Sequence, residues 1–339
     1  MPTGLIHPTT NTALRPSHSI HHSKELVQDD FEAVNRLIIE TIQAQTGLID
    51  DLANHIIQSG GKRLRPLLVL LSSQACQYQG SNHIRLAAMI EFFHTATLLH
   101  DDVVDESTLR RGKQTAHAIW GSKASILVGD YLFTQYMQLM ITVGHLPIMT
   151  LLTEIANQIA CGEIKQLSHA HTREPSIDDY FEVIRSKTSL LFAASTTIGA
   201  MIADADIALV DGLYAYGLHL GNAFQLIDDA LDYCSDAKTM GKNIGDDLAE
   251  GKATLPLLHV LSHGTPAQQK KVRDSLNAGT LTDLPEILEA IAATDAIRYT
   301  KSVAQKEATL AVDALNVLPA SAYKQALIDI AYYAVERDH

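Results

Sequence analysis

Cysteine is scarce in this sequence, and each of the three cysteines stands alone. Cys76, Cys161 and Cys234 share no CxxC spacing, so the sequence supports neither a disulfide framework nor a zinc site. We expect three small buried thiols, as is usual for unpaired cysteines in a reducing compartment.

Runs of positive charge and long apolar runs are also missing. The 26 Lys and Arg residues are outnumbered by 39 Asp and Glu, which gives a net charge of −13 and argues against nucleic acid as a partner. A membrane-spanning helix needs about 18 uninterrupted apolar residues. The longest apolar stretch, residues 190–203, is broken by Ser195, Thr196 and Thr197, so we predict a buried helix there and a cytoplasmic protein.

The spacing of apolar residues predicts an all-α fold. After Leu26 they recur every three or four residues, and alternating strand-like segments are nearly absent. Residues 1–24 contain prolines, hydroxyl residues and four histidines, which predicts a disordered leader. No linker divides the remainder, so we expect one helical-bundle domain over residues 25–339.

One acidic motif, Asp-Asp-x-x-Asp, occurs twice. Its members are Asp101, Asp102 and Asp105, and then Asp228, Asp229 and Asp232. On a helix the first and last Asp lie on one face about one turn apart, where they repel unless a cation sits between them. A solvated acidic face is the alternative, but each motif follows an apolar segment, and buried carboxylates need partners. Oxygen ligands without His or Cys suit Mg²⁺ bound jointly by carboxylates and phosphates.

Basic residues beside glycines and hydroxyl residues suggest two anion sites. The segment GGKRLRP (60–66) places three cations at a predicted helix start, where backbone N–H groups favour an anion. Arg110 and Arg111 follow the first Asp motif and offer forked contacts to phosphate. Lys187-Thr188 and the stretch 238–256 add further cations. We interpret Arg63 as a surface residue.

Taken in order, six segments resemble the trans-isoprenyl diphosphate synthases, and among them the bacterial octaprenyl diphosphate synthases of quinone biosynthesis. They are GGKRLRP, HTATLLHDDVVDES, RRG, SKTSLLF, FQLIDDALDY and GKNIGDDLAEGKATLPLLH. The resemblance runs from about residue 25 to the C-terminus. It implies an isoprenoid-synthase bundle around a central cavity, which condenses isopentenyl diphosphate repeatedly with an allylic diphosphate, expected to be farnesyl diphosphate. It also implies a homodimer. Because the product would be very hydrophobic, we expect transient membrane contact for its release.

The same resemblance assigns roles to individual residues. The two Asp motifs would hold up to three Mg²⁺ ions and, with Lys187 and Gln225, form the catalytic set. The isopentenyl diphosphate pocket would comprise Lys62, Arg65, His94 and Arg111, and the allylic site Arg110, Lys187, Thr188, Gln225, Lys242 and Lys252. Cations and metal stabilise the departing diphosphate as its charge develops. No protein nucleophile is needed, and the sequence offers no Ser/His/Asp or Cys/His constellation.

Small residues just before the first Asp motif, below it along the helix, predict a long product. Ala96 and Thr97 lie five and four residues before Asp101, about 6 to 8 Å along a helix. In the resembled family, bulky aromatics at these positions stop elongation early. A narrowing or floor is expected at Phe93, Tyr136, Met137 or Met140, for which core packing is the alternative.

Two other functions share some of these features. A class I terpene cyclase also begins from an Asp-rich motif, but it needs no second diphosphate pocket. A non-catalytic partner subunit of a heteromeric synthase usually lacks the Asp-rich motifs, whereas this sequence has both.

Overall fold

In a computed structural model, the chain is almost entirely α-helical, which confirms the predicted fold class. The structure describes residues 20–43, 47–58, 61–110, 112–169, 176–234 and 244–337. The helices are α1 (Ile20–Glu25), α2 (Gln28–Gln43), α3 (Gly47–Gln58), α4 (Leu64–Ala75), α5 (Asn82–Val104), α6 (Ala116–Trp120), α7 (Ser122–Val143), α8 (Leu146–His169), α9 (Ile177–Ile184), α10 (Leu190–Ile202), α11 (Ile207–Leu231), α12 (Asp246–Ala249), α13 (Leu255–His263), α14 (Pro266–Ala278), α15 (Leu284–Ala293), α16 (Ala296–Ala314) and α17 (Ala322–Glu336).

Three short elements interrupt this pattern. A hairpin pairs β1 (Leu109–Arg110) with β2 (Lys113–Gln114) in antiparallel register. A 3₁₀ turn covers Leu315–Val317, and Arg185–Ser189 form a π-helical segment between α9 and α10. We call this segment the π turn.

Helix α10 lies at the centre of the fold, as expected for the apolar stretch 190–203. It packs between α4 and α11, and all of its residues except Met201 are buried. Glycines allow this approach on both sides. A Cβ at Gly199 would lie 2.8 Å from the Ser73 nitrogen, and a Cβ at Gly217 would lie 2.6 Å from the Ala193 Cα. Both distances are too short for a side chain, so the three backbones are in direct contact.

The other helices enclose this centre. Helix α5 packs along α7, α11 packs along α16, and α17 returns against α4 and α11. The buried Tyr216 hydroxyl of α11 donates to the Leu327 carbonyl of α17 at 2.7 Å. Prolines stand in the first turn of α13, α14 and α15, where a missing N–H costs no helical hydrogen bond. Among the described residues, no helix is both long and apolar enough to cross a membrane.

Two expectations from the sequence need correction. The disordered leader was expected to extend to residue 24, but helix α1 begins at Ile20, and Ile20 and Ser23 are buried because α1 packs on α17 and α4. Residues 1–19 lie outside the described part, and a single domain from residue 25 onward stays a prediction. The thiols of Cys161 and Cys234 are exposed rather than buried, and Cys76 is half-buried.

Candidate active site

The first Asp motif closes helix α5, and each of its carboxylates has a basic partner. The Asp101 carboxylate lies 3.9 Å from the Lys187 Nζ. The buried Asp102 accepts from Arg110 of β1, at 2.8 Å from Nε and 2.7 Å from Nη2. Asp105 accepts from the Lys252 Nζ at 2.9 Å. Burial raises the pKa of Asp101 to about 6, although Lys187 acts in the opposite direction.

The second Asp motif closes helix α11 and has different partners. Asp228 pairs with the Arg337 Nη2 at 2.7 Å. The Asp229 carboxylate is buried and accepts from the Tyr180 hydroxyl at 2.5 Å and from the Gln225 Nε2 at 2.7 Å. Burial raises the pKa of Asp229 well above its usual value, and Asp247 raises it further. Asp232 is buried and accepts from the backbone N–H of Asp247 at 3.3 Å.

The π turn connects the two motifs. Lys187 reaches the first motif at Asp101 and also donates to Glu163 of α8 at 3.0 Å. The next residue, Thr188, donates its hydroxyl to the Gln225 Oε1 at 2.8 Å, and Gln225 in turn holds Asp229. A π-helical turn inside an α-helix often marks a functional site. Here Lys187 lies beside the first Asp motif, and the next residue bonds the glutamine that holds the second.

The cations at the start of α4 form a second group. Arg65 Nη1 lies 3.1 Å from the His94 Nε2 of α5, and its guanidinium lies 4.4 Å from the Phe192 ring centroid. Lys62 lies over the Tyr333 ring at 5.2 Å. The structure therefore brings together Arg65 and His94, two residues assigned to one diphosphate pocket.

Arg63 is not the plain surface residue that the sequence suggested. It is half-buried, adopts a left-handed backbone with φ of 46° at the start of α4 and donates to Asn35 of α2. Two other expected site residues, Arg111 and Lys242, lie outside the described residues.

The residues expected to control product length do not share one environment. Ala96 is buried, whereas Thr97 is half-buried and donates to the His94 carbonyl at 2.8 Å. Phe93 and Tyr136 are buried, with ring centroids 5.1 Å apart. Met140 packs partly buried against the core, but the Met137 side chain is 42% exposed and does not narrow the interior of this chain.

Sequence reasoning missed four residues that contact the expected site. Phe133 joins Phe93 and Tyr136 at centroid distances of 6.1 and 5.5 Å, and the others are Glu163, Tyr180 and Arg337. Phe133 and Tyr136 share one face of α7 by their three-residue spacing, which is a signal available in the sequence. The other three belong to no motif, and only the tertiary fold brings them to the Asp motifs.

The donors present fit a hard divalent cation. Both motifs offer carboxylate oxygens, which Mg²⁺ and Ca²⁺ prefer. In the part of the chain that the structure describes, no three acidic, His or Cys side chains are gathered as a ready metal site. The reason is visible in the contacts above, since side-chain cations and hydrogen-bond donors hold the carboxylates instead. Metal binding would have to replace some of these partners.

In this all-helical fold a Lys-Thr turn links two Asp-rich motifs, and Arg65 and His94 form a separate basic pair. These features fit a metal-dependent enzyme that acts on diphosphates. Residues 36–292 match the family model described as polyprenyl synthetase. The chain belongs to this family of trans-prenyltransferases, whose members use divalent metal and bind isoprenyl diphosphates.

Individual relatives cover nearly the whole chain. Octaprenyl diphosphate synthase of Escherichia coli (strain K12) is 45% identical over 315 residues, which span 93% of this chain and 98% of the relative. A polyprenyl synthase from Caulobacter crescentus CB15, crystallised with calcium and isoprenyl diphosphate, superposes with a TM-score of 0.92 at 42% identity, covering 96% of this chain and 100% of that one. A decaprenyl diphosphate synthase from Rhodobacter capsulatus gives a TM-score of 0.88 at 38% identity, with 95% and 100% covered.

Proposed function

We propose that this enzyme is a Mg²⁺-dependent octaprenyl diphosphate synthase that extends farnesyl diphosphate with isopentenyl diphosphate to supply quinone side chains. The observation that carries the proposal is the π turn, which places Lys187 beside the first Asp motif and Thr188 beside the residue that holds the second. The octaprenyl product is supported by the 45% identity to the Escherichia coli octaprenyl diphosphate synthase.

The reaction needs charge stabilisation rather than a protein nucleophile. The allylic C–O bond breaks, the isopentenyl double bond forms the new C–C bond, and a proton leaves to the departed diphosphate. Mg²⁺, when bound to the Asp motifs, neutralises the leaving group. Arg110, Lys187 and Lys252 add fixed positive charge around the first Asp motif. Such charge stabilises a leaving group most where water is excluded. Gln225 and Thr188 contribute polar oxygens next to the allylic group without forming a covalent bond to it.

We infer that product length is set by the side chains that face each other between α5 and α7. Ala96 leaves space below the first Asp motif because its side chain is small and buried. Deeper along α5, Phe93 packs with Phe133 and Tyr136 of α7. We assign this aromatic cluster to the wall of the tunnel that holds the growing prenyl chain.

A terpene cyclase and a non-catalytic subunit would each leave some of the observed site residues without a role. A terpene cyclase has no need for the Arg65–His94 pair, which lies apart from the residues around the Asp motifs. A non-catalytic subunit has no need for two Asp motifs with their basic partners. Neither alternative has an observation of its own in its favour.

The enzyme is also proposed to act as a homodimer. Leu127, Met137 and Ile141 of α7 and Ile164 of α8 are exposed apolar side chains, between 42% and 68% accessible. Apolar exposure of this kind supports a protein–protein contact. The cytoplasmic location and the transient membrane contact of the product stay predictions.

The decisive test is incubation with farnesyl diphosphate, labelled isopentenyl diphosphate and Mg²⁺, followed by dephosphorylation and chromatography of the alcohols. We expect a sharp octaprenyl product that EDTA abolishes. Asp101→Ala and Asp228→Ala should each keep the helical circular dichroism spectrum and lose activity by orders of magnitude. Near-normal turnover of either variant would refute the metal assignment, and a folded wild type without incorporation would favour the cyclase or the non-catalytic subunit.

A further inference from the structure

Behind the π turn lies a series of hydrogen-bonded polar side chains that have no role in the proposed diphosphate chemistry. Ser189, the last residue of the turn, donates its hydroxyl to the Asn222 Oδ1 of α11 at 2.6 Å. Asn222 donates its Nδ2 to the Glu307 Oε2 of α16 at 2.9 Å, and the His219 Nδ1 lies 2.8 Å from the same oxygen. Ser189 is 0% and Asn222 3% exposed. Three separate segments are therefore joined by hydrogen bonds, buried at Ser189 and Asn222 and partly exposed at Glu307 and His219.

Glu307 determines which group donates in each of these hydrogen bonds. Burial alone would raise its pKa, but hydrogen bonds from His219 and Asn222 outweigh burial and lower the pKa of Glu307. An ionised carboxylate can only accept hydrogen bonds, so Asn222 must turn its NH₂ group toward Glu307. Its carbonyl oxygen then faces Ser189 and can only accept from that hydroxyl. One carboxylate on α16 thus determines how Asn222 holds the turn.

Backbone packing against α11 also holds Ser189 and the π turn in place, independently of these side chains. A Cβ at Gly221 would lie 2.5 Å from the Ser189 Cα, so α11 and the turn are in direct contact. The Ser189 hydroxyl also lies 3.2 Å from the Ile184 carbonyl, five residues earlier, and the Leu190 N–H bonds the Arg185 carbonyl across the same interval. Such i→i+5 turns are rare and local, so this one depends on its surroundings.

We propose that Asn222, oriented by Glu307, is a positioning residue that keeps the π turn from relaxing to a regular α-helix. Relaxation would shift the register by one residue, which rotates a side chain by about 100° around the helix axis. Lys187 and Thr188 could then no longer contact Asp101 and Gln225 together. The role rests on the proposed function, because it is the allylic diphosphate that Lys187 and Thr188 would bind.

Two substitutions test the role, namely Asn222→Leu, which keeps the side-chain size, and Ser189→Ala, which removes one hydroxyl. We expect each to weaken farnesyl diphosphate binding in calorimetry with Ca²⁺ by about tenfold, as for loss of a buried hydrogen bond. The KM for isopentenyl diphosphate should stay within about twofold. The double variant should be little worse than the worse single one, because both act through one contact.

Thr300→Val on α16 is the matched control. Thr300 is also fully buried, but its hydroxyl donates within its own helix, to the Ala296 carbonyl at 2.9 Å. This variant should keep both the affinity and the KM.

The proposal is overturned if Ser189→Ala and Asn222→Leu lower only the melting temperature and leave farnesyl diphosphate affinity at the wild-type value. If Asn222→Leu does not fold, Ser189→Ala decides alone. A wild type that binds farnesyl diphosphate but condenses nothing would refute the proposed function, while the binding series would still test Asn222.

Discussion

Replacing Arg337 with Gln should weaken the fold and, at the same time, tighten divalent-metal binding. The Arg337 side chain is 5% exposed and pairs with Asp228, the first carboxylate of the second Asp motif, at 2.7 Å. The same guanidinium donates to the Phe224 carbonyl at 2.7 Å and lies 3.7 Å from the Phe224 ring centroid. Arg337 therefore pairs with a carboxylate that the proposed function assigns to metal binding.

The loss of stability should exceed the gain in metal affinity, because the Arg337 side chain is buried whereas Asp228 is partly exposed. Loss of a hydrogen bond from a charged donor costs about 1.5–3 kcal/mol, and loss of the cation–π contact about 0.5–2 kcal/mol. Asp228 is 40% exposed, so its released carboxylate is rehydrated and adds little. We expect the free energy of unfolding to fall by about 2–5 kcal/mol. A partly exposed ion pair is worth about 0.2–1 kcal/mol, so removing this competitor should tighten metal binding by about 1.4- to fivefold.

The assay combines denaturant unfolding of the metal-free protein with Mn²⁺ titration followed by electron paramagnetic resonance, without diphosphate. Arg337→Lys is the matched control, because it keeps the charge but loses the planar contact with Phe224. It should lose stability while binding Mn²⁺ nearly as the wild type does. Weaker Mn²⁺ binding by a folded Arg337→Gln variant, or an unchanged free energy of unfolding, would refute the reasoning.

Two further predictions concern Asp101 and Ala96. Burial raises the pKa of Asp101 from 3.8 to about 6, so its affinity for Mn²⁺ should fall as the pH falls through about 6. In the metal-free protein the stability contributed by this group should be lost as the pH rises from about 4 to about 6. Lys187→Met removes a cation that lowers this pKa, so the midpoint of a Mn²⁺ titration series should move upward, and an unmoved midpoint would contradict the pairing. Ala96→Phe should shorten the product alcohols in chromatography, whereas an unchanged length would remove the argument from side-chain size.

Much of the fold and of the site could be predicted because the signals are local. The three- and four-residue spacing of apolar side chains gave the all-α class, and the spacing within each Asp motif placed its carboxylates on one helix face. Lys187 and Lys252 were expected in the allylic diphosphate site, and they lie beside Asp101 and Asp105 of the first Asp motif. These inferences needed only neighbours along the chain or a familiar motif.

The remainder depended on contacts between distant segments. Tyr180 lies 49 residues from its partner Asp229, and nothing around it marks it as part of an acidic site. Arg337 is a lone basic residue near the end of the chain. The π turn has no periodic signal, since it shifts the helical register only once. Ile20 looked like part of a polar leader because its burial depends on α17 and α4, which come much later in the chain.

The glycine contacts of α10 bear on how product length can change during evolution. With Gly199 of α10 against α4, and Gly217 of α11 against α10, helix α10 has backbone neighbours on both sides. A larger residue at either glycine would force these helices apart. The wall between α5 and α7 is built from side chains of graded size, from Ala96 to Phe93 and Tyr136, which can be exchanged one at a time. If α5 and α7 set product length as proposed, single substitutions in these two helices can change it, whereas substitutions at the glycine contacts of α10 would disrupt the fold.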